Sequence, residues 1–163
     1  MILEEPVLFL RYAVPCGHVL VKRGSLSQER LDYLEKCAAS GQEPGGELEN
    51  DFPIGVRMLK LTAKRMGKPT IDREVIRKYF WKEHKACIEW RAKMFRDIDT
   101  DKCSIRSGKV IEASGGTAVV ETKEGRATVN SMFEPEIKEG DWVVTHYDYL
   151  VESITPEQAV KVG

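Results

Sequence analysis

Cys103 heads the run Cys-Ser-Ile-Arg-Ser-Gly-Lys-Val-Ile-Glu, and His146 closes the segment Gly140-Asp-Trp-Val-Val-Thr-His. A thiol placed just ahead of a strand signal, with an imidazole downstream, is the combination that grips a soft metal or transfers a thiol. Such a sulfur is expected at the mouth of a small barrel, within reach of solvent. Packing is the competing reading: a free cysteine is a compact hydrophobe, and a histidine among Trp142, Tyr147 and Tyr149 can be an ordinary amphipathic strand residue. A second set, Cys16-Gly-His18 and His84-x-x-Cys87, offers two sulfurs and two nitrogens, a tetrahedral zinc set if the first helix meets the fourth. Neither half has finger spacing, and core packing for Cys87 or a helix-end position for His18 explains them without metal.

The elements that must carry these residues differ between the two halves. Residues 1–98 read as an all-α domain. Pro6 suits a first helical turn, Pro15 marks a break, and Gly24 a stop; the apolar run between them is too interrupted to span a bilayer and reads as a buried helix pair. Ser27 is expected to cap a second helix ending at Gly41, Pro53 to open a third that stops at Gly67, and Asp72 to start the fourth and longest. On that fourth helix Ile76, Phe80, Glu83, Cys87, Trp90 and Met94 fall on one stripe, so a carboxylate interrupts an apolar seam. An internal ion pair with Arg11 would neutralise it. The run Asp97–Asp101 reads as a polar linker.

From Cys103 the period becomes that of strands. Glycines at 115, 116, 125 and 140 mark turns, Ala127 and Val129 alternate with polar neighbours, and Thr155-Pro-Glu opens a short terminal helix. Residues 103–163 therefore predict an OB-like β-barrel with a short C-terminal helix, and the whole chain an α+β protein.

Composition narrows the function classes. At 163 residues, 42% hydrophobic and 31% charged, the chain is ordinary globular material. It carries no basic leader with a cleavage site, which predicts a cytoplasmic protein without a membrane anchor and with its four cysteines reduced. Net charge is −1, yet residues up to 98 hold 18 basic and 14 acidic groups against 7 and 12 beyond. Within Arg57–Arg96 the ratio is 13 to 4, and Arg77, Lys78 and Lys85 there are candidate partner contacts. The same basic helices, 57–96, support an alternative reading as a nucleic-acid-binding module, although an acidic barrel would repel a phosphate backbone. No phosphate-cradling glycine loop, nucleophile elbow or two-carboxylate motif is present, so the chain is not expected to be an enzyme.

Cys103-Ser-Ile-Arg-Ser-Gly-Lys-Val110 and Gly140-Asp-Trp-Val-Val-Thr-His146 together resemble the hydrogenase assembly chaperones of the HypC/HupF family. That family begins with cysteine, three residues, then Pro-Gly-Lys-Val, and later carries Gly-Asp-Tyr-Val-x-Val-His. The resemblance covers about 60 residues through the terminal helix. It implies that Cys103 supplies a thiolate to an iron fragment bearing carbonyl and cyanide ligands, with His146 in support. Implied partners are an iron-sulfur scaffold protein of the HypD type and the hydrogenase large subunit, and the implied role is metallochaperone. Two differences stand out: Cys103 is internal, so no free amino group lies beside it, and Ser107 replaces the family proline.

Overall fold

The computed structural model describes residues 1–94 and 103–163, so the polar linker expected over Asp97–Asp101 lies outside the described residues. The chain divides into two compact units, Met1–Glu83 and His84–Gly163.

The first unit is helical. Helix α1 (Pro6–Ala13) runs into a 3-10 turn at Val14–Cys16, where Pro15 removes a donor, and resumes as α2 (Gly17–Lys22). The Ser27 hydroxyl accepts from the Arg30 N–H to start α3 (Gln28–Ser40), and Gly41, at φ 80°, ends it. After the short α4 (Leu48–Asp51), α5 (Pro53–Arg65) stops before Gly67. The Asp72 carboxylate then accepts from the Val75 N–H at the start of α6 (Arg73–Lys78).

Burial follows the apolar faces. Phe9, Leu10, Tyr12, Leu34, Leu59 and Ile76 are sealed from solvent, Tyr12 stacks on Phe80 at 4.8 Å, and Trp81 Nε1 donates to the Tyr12 hydroxyl at 2.7 Å. That bond lets two amphipathic rings sit in an apolar interior without losing a partner. Glu83 is neutralised as well, though not by Arg11. Arg65 and the Thr62 hydroxyl donate to it, at 2.5 and 2.7 Å, while Arg11 donates to the Ala38 carbonyl.

The expected fourth helix is three segments. A π turn at Tyr79–Glu83 separates α6 from α7 (His84–Ala92), and its extra residue per turn shifts the phase of everything after it. The stripe therefore fails past the turn. Ile76 and Phe80 are buried, Glu83 and Cys87 are half-buried, and Trp90 and Met94 are 61% and 62% exposed.

In the second unit, β1 (Ile105–Ser114), β2 (Thr117–Thr122), β3 (Gly125–Asn130), β4 (Trp142–His146) and β5 (Tyr149–Ile154) close a barrel in the order β1-β2-β3-β5-β4. All pairings are antiparallel except β3 with β5, joined at Asn130 and Tyr149. At that seam closure rests on the one pair Asn130–Tyr149. This is the expected α+β arrangement, completed by α8 (Pro156–Ala159) behind a Thr155–Gln158 capping box.

Val110, Ala118, Val120, Val129, Val143 and Leu150 form the barrel core. Ala127, which alternates with Val129 in the sequence pattern, is exposed, because β3 buries little besides Val129. Gly115 and Gly116, at φ 56° and 87°, supply the two positive-φ positions of the β1–β2 hairpin. Gly108 answers to space instead: a Cβ there would lie 2.5 Å from the Glu121 carbonyl oxygen and 2.6 Å from Val120 Cγ1.

Candidate metal centre

Cys103 precedes β1 by two residues, and β1 pairs with β4 so that Ile105 stands opposite His146. That register brings the thiol to the end of β4. The strand stops there because Tyr147, the single nonglycine residue at positive φ among the described residues, turns the chain into β5. His146 is thus the last strand position before a strained turn, fully buried, with its ring 5.3 Å from that of Tyr147.

Cys103 Sγ lies 3.6 Å from His146 Nε2 and 3.8 Å from His84 Nε2. The two imidazoles stand edge to face at 87°, with centroids 5.2 Å apart. One sulfur therefore faces two ring nitrogens. The donor atoms of His84, Cys103 and His146 all fall within 4.8 Å of one another, a spacing that admits a common metal ion.

Burial distinguishes this thiol from the solvent-reachable one expected at the barrel mouth. Cys103 is only 4% exposed, His84 8% and His146 0%. Burial also pushes the His84 imidazole below its ordinary value; the nearby His146 acts in the same direction and the contact with Cys103 opposes both. A neutral ring keeps a lone pair, the form in which histidine ligates metals. Packing alone is a poor account of a sulfur flanked by two imidazoles, since apolar surroundings would serve a structural cysteine better.

Cys87 and His18 are not among these grouped residues. Cys87, three residues after His84, is half-buried. His18 is exposed and its Nδ1 contacts the Pro15 carbonyl at 3.0 Å, while Cys16 sits half-buried in the 3-10 turn of the first unit. His84 thus partners Cys103 and His146 instead of Cys87. None of the four cysteines forms a disulfide.

Residues 103–162 match the HupF/HypC family. The match begins at Cys103 and takes in His146, so both residues that the motifs single out lie inside the HypC-type region, which the family ties to hydrogenase maturation. His84 lies outside it. The chain finds no match among curated proteins.

The departure at Ser107 has a structural use. Its hydroxyl donates to the Ala159 carbonyl at 2.8 Å, tying the end of α8 to β1, a bond that proline could not make. Local spacing marked His84 as a candidate ligand beside Cys87 but gave no signal for Cys103 and His146 as its partners, because those contacts join residues 19 and 62 positions further along the chain.

Basic residues of the helical stretch are largely engaged within the chain. Lys60 bonds Glu49, Lys68 bonds Asp72 and Glu74, Arg73 bonds Glu5, and the Arg77 guanidinium lies 5.2 Å from the Trp81 ring centroid. Lys78 and Lys85 are exposed. Side chains already paired have less charge to offer a phosphate backbone. No helix among the described residues is long and apolar enough to cross a membrane.

Proposed function

We propose that the HypC-type region is a metallochaperone in the maturation of a nickel-iron hydrogenase. Cys103 holds an iron fragment bearing carbonyl and cyanide ligands as its thiolate. Soft sulfur suits low-valent iron, and one protein thiolate leaves coordination positions for the diatomic ligands and for a second protein. His146 accepts the thiol proton on loading or orients the sulfur. The helical unit recognises an iron-sulfur scaffold of the HypD type or the hydrogenase large subunit, with Arg77, Lys78 and Lys85 as contacts to acidic groups on that partner. The setting is cytoplasmic, and the protein binds and passes on cargo without turnover.

The observation that carries this reading is the 3.6 Å contact between Cys103 Sγ and His146 Nε2 inside the family-matching region. Anaerobic co-expression with the scaffold protein, followed by iron analysis and infrared spectroscopy, tests it. Carbonyl and cyanide stretches are expected in the purified complex and absent with Cys103→Ala. Unchanged bands in that variant would remove Cys103 from the site.

A further inference from the structure

We infer that His84 is a third metal donor beside Cys103 and His146, so that the free protein holds a bare divalent ion of the zinc or ferrous class in a tetrahedral set of two nitrogens and one sulfur. This rests on one part of the reading above, that Cys103 is a metal ligand, and adds a residue outside the family-matching region.

Spacing is the first argument. With metal–sulfur and metal–nitrogen bonds of about 2.3 and 2.0–2.1 Å, two ligands at the tetrahedral angle stand about 3.6 Å apart, whereas ligands at a right angle stand about 3.1 Å apart. The observed sulfur–nitrogen separations are 3.6 and 3.8 Å. They match the tetrahedral value and exceed the octahedral one. A six-coordinate carbonyl-cyanide fragment would require the sulfur and rings to close up or His84 to withdraw.

Proton inventory is the second. A thiol has one proton and can donate it to one imidazole at a time, while a metal ion engages the sulfur and both rings together. Binding as thiolate releases that proton to solvent, and each histidine contributes its Nε2 lone pair. The resulting set carries one negative charge against two positive, with the fourth position left for a ligand from outside these three residues. Borderline divalent ions favour this mixture of imidazole and thiolate.

Location is the third. His84 follows directly on the π turn at Tyr79–Glu83, a local widening that changes where a helix aims its next side chains and that recurs at functional sites. Cys87, one turn further, is left out of the group.

The test uses the purified full-length protein, stripped of metal under anaerobic conditions and titrated with Co(II) as an optical probe. One ion per chain is expected, with the intense visible bands of four-coordinate cobalt and a sulfur-to-cobalt charge-transfer band that disappears in Cys103→Ala. His84→Ala should weaken binding at least about tenfold. Because removal of a buried ring can unfold a domain, the wild-type protein supplies an independent readout: nitrogen-15 NMR of its three histidines during zinc titration. The Nε2 resonances of His84 and His146 should move and that of His18 should not. A six-coordinate cobalt spectrum, or a His84 resonance indifferent to zinc, overturns the inference. Carbonyl and cyanide bands in a complex whose His84 ignores zinc would sink this inference alone; a zinc-responsive His84 in a protein that never shows those bands would uphold it and sink the iron-fragment reading.

Discussion

The helical unit and the barrel unit both bury polar side chains, but they treat them differently. In the helical unit each such group is closed by a strong partner: Asp51 accepts two bonds from the Arg30 guanidinium, Glu83 accepts from Arg65 and Thr62, and the Trp81 N–H is capped by Tyr12. In the barrel unit, Cys103, His84 and His146 meet through long sulfur–nitrogen contacts between soft or neutral groups. Fully bonded charge pairs hold a structure in place. A thiol between two imidazoles is poorly suited to that task and well suited to coordination, which is why the same property, polar burial, reads as architecture in one unit and as chemistry in the other.

The contrast predicts that stability in the barrel depends on backbone approach more than on polar contacts. Gly108→Ala sets a Cβ against the Glu121 carbonyl, and a backbone oxygen inside a closed ladder cannot retreat as a flexible side chain can. A loss of about 3 kcal/mol is expected, read as a lowered melting transition for the barrel in chemical denaturation. If the variant melts like the parent, the barrel is looser at β1–β2 than its register indicates, and the geometry assigned to Cys103 loosens with it.

In the helical unit the strongest test is the Arg30–Asp51 pair. Asp51 is 9% exposed, and Arg30 also donates to the Gly45 carbonyl, so the guanidinium clamps the loop ahead of α4 onto α3. The attraction of Asp51, opposed by some desolvation, raises the Arg30 value further. Asp51→Ala strands a partly buried cation and should cost about 2 kcal/mol, the partial exposure of Arg30 keeping it below the cost of a fully buried pair. Cobalt affinity at the site proposed for His84, Cys103 and His146 should be unchanged. A variant that loses both stability and cobalt affinity would show the two kinds of polar burial to be less separate than the contacts suggest.

Legibility in the sequence followed the range of the interaction. Ser27 and Asp72 act on backbone three residues away, and Gly41 and Gly67 end helices through their own φ, so these boundaries could be read locally. The barrel was legible for a similar reason, its glycine turns and paired motifs being local. His84 was read as a candidate ligand, but with Cys87 and not with Cys103. His84 reaches Cys103 through a contact between elements separated by the segment outside the described residues, and no spacing rule along one helix encodes that. The π turn escaped detection too, because Tyr79–Glu83 contains neither proline nor glycine to announce it. The six-residue stripe then failed at the point where the helix changed pitch, and Glu83 found Arg65 from α5 instead of Arg11 from α1.

The smallest effect concerns Asp72, whose carboxylate caps α6 while accepting from Lys68 at 2.6 Å. Desolvation alone would raise its value, but the Lys68 bond and the Val75 N–H outweigh it and hold the carboxyl below the usual range. The sign of the pH dependence follows. With the folded value depressed relative to the unfolded one, the unfolded chain takes up the proton first as pH falls, so the contribution is complete above about pH 4 and drains away as pH drops through the folded value. Asp72→Ala should therefore cost about 1 kcal/mol at neutral pH, the ordinary worth of an N-cap, and progressively less in acid, where the parent has itself lost the charge. Urea unfolding of both proteins at a series of pH values would reveal this convergence. Parallel curves would mean that the cap works through its hydrogen bond alone, leaving the closure of polar groups in the helical unit a matter of geometry and not of charge.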